Sequence, residues 1–106
     1  MTQIVIYQSQ NGIKGFTSEG HAGHGVRGND VVCASVSILL MNTINSIEAF
    51  SKEKAEVSVN ERKAKIEFWM DHSDHDAELL LRSMKLGIEG IAKEYPGNVT
   101  IRIEEV

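Results

Sequence analysis

Ala55-Glu56-Val57-Ser58-Val59-Asn60-Glu61-Arg62-Lys63-Ala64-Lys65-Ile66-Glu67-Phe68-Trp69-Met70 is the stretch on which the fold turns. Ala55, Val57 and Val59 alternate with polar residues, as do Ala64, Ile66, Phe68 and Met70. The polar run Asn60-Glu61-Arg62-Lys63 between them predicts a hairpin turn. Upstream, the period changes from two to that of a helix. From Asn29 or Asp30 onwards, Val32, Val36, Leu39, Leu40, Ile44, Ile47 and Phe50 recur at helical spacing. The first half of this helix is apolar almost all round, which predicts that both its faces are covered. Downstream, the acidic, histidine-containing segment Asp71 to Asp76 offers Ser73 or Asp74 as the cap of a second helix. Leu80, Met84, Ile88 and Ile91 line that helix, and Pro96-Gly97 ends it. Leu79, Leu81 and Leu86 add an apolar excess that fits either an interface or a wide core-facing stripe.

The two ends of the chain complete the pattern. Ile4-Val5-Ile6-Tyr7 has strand composition, Asn11-Gly12 is a strong hairpin signal, and Ile13 to Ser18 forms the returning strand. Val99, Ile101 and Ile103 alternate in a last strand. The expected order is β-β-α-β-β-α-β. Hairpins in one chain with two helices predict an α+β fold, two helices packed on a mostly antiparallel sheet.

With 106 residues and no repeat, linker or low-complexity segment, the expectation is one domain over residues 1–106. Hydrophobic residues make up 42% and charged residues 25%, the balance of a globular protein. A formal charge of −4 would be repelled by a phosphate backbone, so direct nucleic-acid binding is not expected. A single cysteine forms no internal disulfide and fits a reducing compartment. The first residues lack a basic n-region, and no segment is expected to reach the length of a membrane span. These features predict a cytoplasmic protein with no membrane partner.

That cysteine, Cys33, follows the glycine-spaced run Gly20-His21-Ala22-Gly23-His24-Gly25-Val26-Arg27-Gly28-Asn29-Asp30. With Asp30 as N-cap, Cys33 falls in the first helical turn, where exposed N–H groups and the helix dipole favour the thiolate. The same N–H groups could hold an oxyanion when a carbonyl is attacked. Asp30 itself would oppose the thiolate, so its task is capping the helix or orienting a histidine. Glycines 20, 23, 25 and 28 permit positive φ and suit a closing flap that brings a histidine to Cys33 as general base. The bland alternatives are a core cysteine and an idle surface loop. His72 and His75, with Asp71, Asp74 and Asp76, could join His21, His24 and Cys33 in a zinc site. No recognised zinc spacing is present, and an exposed turn with a helix cap is the simpler reading, so neither metal nor cofactor is expected.

Gly20-His21-Ala22, then Gly28, Asp30, Val32-Cys33-Ala34 and Val36-Ser37, resemble the signature of the ribosomal-processing cysteine protease family, Prp. The specific motif occupies residues 20 to 37, and length, helix layout and the acidic segment extend the likeness over essentially the whole chain. The resemblance implies a small α/β sandwich, a homodimer, and a cysteine endopeptidase with a His-Cys dyad. It also implies removal of the N-terminal extension of bacterial large-subunit ribosomal protein twenty-seven, cut just after aromatic residues, as ribosome assembly and function require. Residue by residue, the nucleophile falls on Cys33 and the base on His21. Gly20, Asp30 and Ser37 fall on supporting motif positions, with Gly23, Gly25 and Gly28 in the flap. Ser37 lies one helical turn after Cys33 on the same face. Helix capping by Asp30 and helix packing by Ser37 stand as equal readings. Ser35 departs from the small apolar residue usual after Cys-Ala. A competing class is a non-enzymatic protein-binding module on the ribosome, with Cys33 as ordinary core; a metal-dependent hydrolase is a third.

Overall fold

The computed structural model describes residues 1–20 and 31–106. Its elements are β1 (Thr2–Ser9), β2 (Gly12–Glu19), α1 (Val31–Phe50), β3 (Glu56–Asn60), β4 (Lys65–Trp69), α2 (His75–Glu94) and β5 (Val99–Glu105). The strands form one sheet in the order β3-β4-β2-β1-β5. β1–β2, β2–β4 and β3–β4 pair antiparallel and β1–β5 pairs parallel, so the sheet is mixed and mostly antiparallel, as the sequence predicts.

The first hairpin turns through Gln10 and Asn11 into Gly12, whose φ of +121° lies in the region that L side chains avoid. A Cβ there would also stand 2.4 Å from the carboxylate of Glu78. That carboxylate accepts the Ile13 N–H at 2.9 Å, which ties the hairpin to the first turns of α2. Lys14 is the extra residue of a bulge, because Tyr7 pairs with Gly15 and Gln8 with Ile13.

One face of the sheet carries the core. Ile4 and Ile6 of β1, Phe16 of β2, Phe68 of β4 and Val99 of β5 meet Val36, Leu40, Ile44 and Ile47 of α1. Ala77, Leu81, Met84 and Ile88 of α2 complete the same cluster. Phe16 and Phe68 are register partners and stack with centroids 5.2 Å apart. Tyr7 and Trp69 make an edge-to-face pair at 6.3 Å.

The structure corrects two details of the sequence reading and adds to two others. The outer face of α1 is not covered: Val31 and Ile38 remain exposed, Ile38 at 69%. The helix meets the sheet and α2 on two sides only, and its apolar excess looks outward. With 20 residues and a mean hydropathy of 1.5, α1 is also long and apolar enough, by length and composition, to cross a membrane. That corrects the expectation that no segment reaches this length; in the fold, five of its residues are buried against the sheet layer and α2. In α2, Leu81 is fully buried and belongs to the core stripe, whereas Leu79 and Leu86 are exposed. In β3, Val57 and Val59 alternate as expected but stay exposed, since this edge strand has only one neighbour.

The second helix is capped as its sequence suggests. Asp74 accepts the Ala77 N–H at 2.9 Å, and its other oxygen accepts the Ser51 hydroxyl at 2.9 Å and the Lys52 N–H at 3.2 Å. One carboxylate thus joins the end of α1 to the start of α2. The Ala77 N–H foremost, with the Lys52 N–H and the Ser51 hydroxyl, holds the Asp74 carboxyl below the ordinary aspartate range, against a partial desolvation that acts the other way. A depressed folded pKa contributes stability that is fully present above the unfolded pKa and is lost as pH falls through the folded value. Asp74→Asn is therefore expected to flatten the acid limb of stability below about pH 4. Urea midpoints measured across that range check this; an unchanged acid limb would remove Asp74 from the account.

Candidate active site

Cys33 is the third residue of α1, inside the first turn of the helix. It is half-buried, and it packs against the rim of the core cluster on the α1 side that also carries Val36. Ser37 follows one turn later and is exposed. Ser35 is accommodated within the helix, where its hydroxyl donates to the Val31 carbonyl at 2.7 Å.

These residues open onto a cavity of about 230 Å³ at the end of the sheet where β1 begins and β2 finishes. Cys33, Val36 and Ser37 form the helix side. Thr2, Ser18 and Gly20 line the strand side, and Val59, Asn60, Glu61, Ala64, Lys65 and Ile66 of the β3–β4 hairpin close the rest. The wall is mainly apolar through Val36, Val59, Ala64 and Ile66, with hydroxyl, amide and charged groups interspersed. Such a cleft takes an apolar side chain while its polar groups fix orientation.

The hairpin holds its shape by local bonds. Asn60 accepts the Lys63 N–H at 3.1 Å, the Glu61 carbonyl accepts the Ala64 N–H at 3.2 Å, and Ala64 has a φ of +50°. Lys65 is paired with Glu67 at 3.0 Å and lies 3.9 Å from Glu19. The hydrogen bond and charge of Glu67, then the charge of Glu19, raise the Lys65 ammonium above its ordinary value. The ammonium thus stays charged and is paired on the protein side by Glu67.

Of the residues singled out in the sequence, Gly20, Cys33 and Ser37 line this one cavity. His21, Gly23, Gly25, Gly28 and Asp30, and with them His24, lie outside the described residues. His72 and His75 are exposed, and His75 faces Asp76 at 3.3 Å. Among the described residues, no group of three His, Cys, Asp or Glu side chains is placed to hold a metal ion. Sequence reasoning missed Thr2, Ser18 and the β3–β4 hairpin as parts of the cavity. Asn60 to Lys63 reads as a polar turn, and nothing in its composition says which helix end it approaches.

With that geometry in view, comparison with known proteins decides the family. The model of the family described as cysteine protease Prp matches residues 1–100. The chain belongs to this family. It is 29% identical over 84 residues to the ribosomal processing cysteine protease Prp of Staphylococcus aureus, covering 78% of this chain and 79% of the relative. The Bacillus subtilis relative of the same description is 26% identical over 107 residues, covering 95% and 96%. A crystal structure of the essential ribosomal processing protease Prp from S. aureus, in complex with a covalently linked product peptide, superposes with a TM-score of 0.92. It covers 98% of this chain and all of that one; at 24% identity the likeness speaks for the fold.

Proposed function

We propose that the chain is a cysteine endopeptidase in which Cys33 is the nucleophile and His21 the base. The observation that carries this reading is Cys33 in the first turn of α1, opening onto a cleft of side-chain size. His21 takes the thiol proton, and the sulfur attacks the carbonyl carbon of the scissile bond. Negative charge gathers on the carbonyl oxygen, where N–H groups of the first helical turn are the fitting donors. The carbon–nitrogen bond breaks, His21 returns the proton to the leaving amine, and a thioester to Cys33 remains. Water, deprotonated by His21, hydrolyses the thioester and regenerates the thiol.

The substrate we propose is the N-terminal extension of large-subunit ribosomal protein twenty-seven, cut after an aromatic residue. The apolar wall of Val36, Val59, Ala64 and Ile66 suits such a side chain. A formal charge of −4 suits a basic ribosomal partner and disfavours direct contact with RNA. Ser37 would meet the peptide from the helix side of the cleft, a role supported by its place in the lining. The site of action proposed is the cytoplasm, in keeping with the lone thiol. A homodimer is proposed as well, supported by the exposed Ile38, Leu79 and Leu86 of the helix layer.

Replacing His21 by alanine is expected to lower kcat about 10²–10⁴-fold on a peptide copying the extension and its junction, with KM little changed. An unaltered kcat would assign the base elsewhere. The mature ribosomal protein, offered beside the extended form, is expected to stay intact.

A further inference from the structure

Gly20 is held in a way that local strand pairing does not require. Its φ is +96°, and a Cβ there would stand 2.3 Å from the Met1 carbonyl oxygen, so the backbone just ahead of β1 comes as close as only glycine allows. Its N–H donates to the Ala64 carbonyl at 3.1 Å, across to the β3–β4 hairpin. Its carbonyl accepts the Thr2 hydroxyl at 3.1 Å, over 18 residues of sequence. That carbonyl belongs to the peptide group joining Gly20 to the next residue, His21.

Thr2 is well placed to hold it. The side chain is 3% exposed, at the first position of β1, and the Thr2 N–H is itself bound to the Asn98 carbonyl at 2.9 Å. Thr2, Gly20 and Ala64 line the same cavity as Cys33. A buried hydroxyl on a rigid strand is therefore fastened to the peptide unit immediately before the proposed base, within the cleft of the proposed nucleophile.

We propose that Thr2 is a positioning residue: its hydroxyl holds the Gly20 carbonyl while Ala64 holds the Gly20 N–H, so that the chain leaves Gly20 towards the proposed base in one fixed direction. This rests on His21 being the base. Proton transfer between two side chains depends steeply on their separation, and a displacement of about 1 Å can cost about 100-fold in rate. A strand-anchored hydroxyl is a device for preventing that displacement. Position 64 serves the same end from the opposite side, where the left-handed turn at Ala64 aims its carbonyl at Gly20.

Thr2→Val keeps the shape and removes the hydroxyl; Thr2→Ser keeps the hydroxyl and loses a methyl. Thr2→Val is expected to lower kcat about tenfold or more with KM within about twofold. Thr2→Ser is expected to restore kcat. In the His21→Ala background, adding Thr2→Val is expected to change kcat little, because the group being positioned is gone. Equal losses of kcat in the Val and Ser forms, in step with a falling Tm, would overturn the proposal in favour of plain strand stability. Should His21→Ala be inactive and Thr2→Val fully active, positioning by Thr2 fails while the dyad stands. Full activity of His21→Ala overturns the dyad and this proposal together.

Discussion

Cys33→Ala is expected to end peptide cleavage and leave the fold standing. Loss of the nucleophile in an acyl-transfer protease lowers kcat on the order of 10⁶-fold, because the acyl-enzyme can no longer form. The structural cost is small by comparison. Cys33 is half-buried at the edge of the core cluster, and alanine, with the highest helix propensity, replaces it inside the first turn of α1. Circular dichroism and urea unfolding of the variant are therefore expected to match the parent closely while turnover disappears into the background. Cleavage that survives the substitution would sink the assignment of the nucleophile. A collapse of the fold would instead make Cys33 a core residue, as the binding-module reading requires.

Phe16→Ala is expected to have the largest effect on stability. Phe16 is fully buried and pairs in register with Ile6 on one side and Phe68 on the other. It stacks on the Phe68 ring at 5.2 Å with an interplanar angle of 12°, at the centre of the core-facing sheet. Truncation removes the ring from a close-packed site that can collapse only in part. Such a change costs about 3–5 kcal/mol. A domain of this size has about 5–15 kcal/mol in all, so the variant would sit near the edge of folding. The check is the urea midpoint, expected to fall steeply with the slope retained. A midpoint within experimental error of the parent would mean that the sheet face does not carry the core in the way described.

Much of this architecture was legible in the sequence because it depends on period and punctuation. The hairpin over 55–70 was visible from two alternating runs around Asn60–Lys63, and it appears as β3 and β4. The second helix announces its cap, and Asp74 takes that place with its carboxylate on the Ala77 N–H. Periodicity says less about how wide a covered face is. The almost wholly apolar start of α1 suggested burial all round, whereas Val31 and Ile38 face outward. Leu81 could be told from Leu79 and Leu86 only once the helix axis was set on the sheet. The cavity was the least legible part. Cys33 and Ser37 share a helix face by simple spacing, and Gly20 stands in the same motif. Val59 and Ile66 reach them only because β3 and β4 lie at one edge of the sheet and turn beside the start of α1. Thr2 gives no signal at all in one dimension. Its hydroxyl finds Gly20 across the β1–β2 ladder, at the open end of the hairpin, through pairing in which Gln3 meets Glu19.

Mass spectrometry of extended ribosomal protein twenty-seven, after incubation with the purified protein and in parallel with its Cys33→Ala form, tests the central claim most directly. A single cut that releases the N-terminal extension is expected with the parent protein, and none with the variant. An intact substrate in both reactions, with both proteins folded and the substrate bound, would contradict the protease reading and leave a binding module. A cut made equally by both forms would contradict Cys33 as its nucleophile.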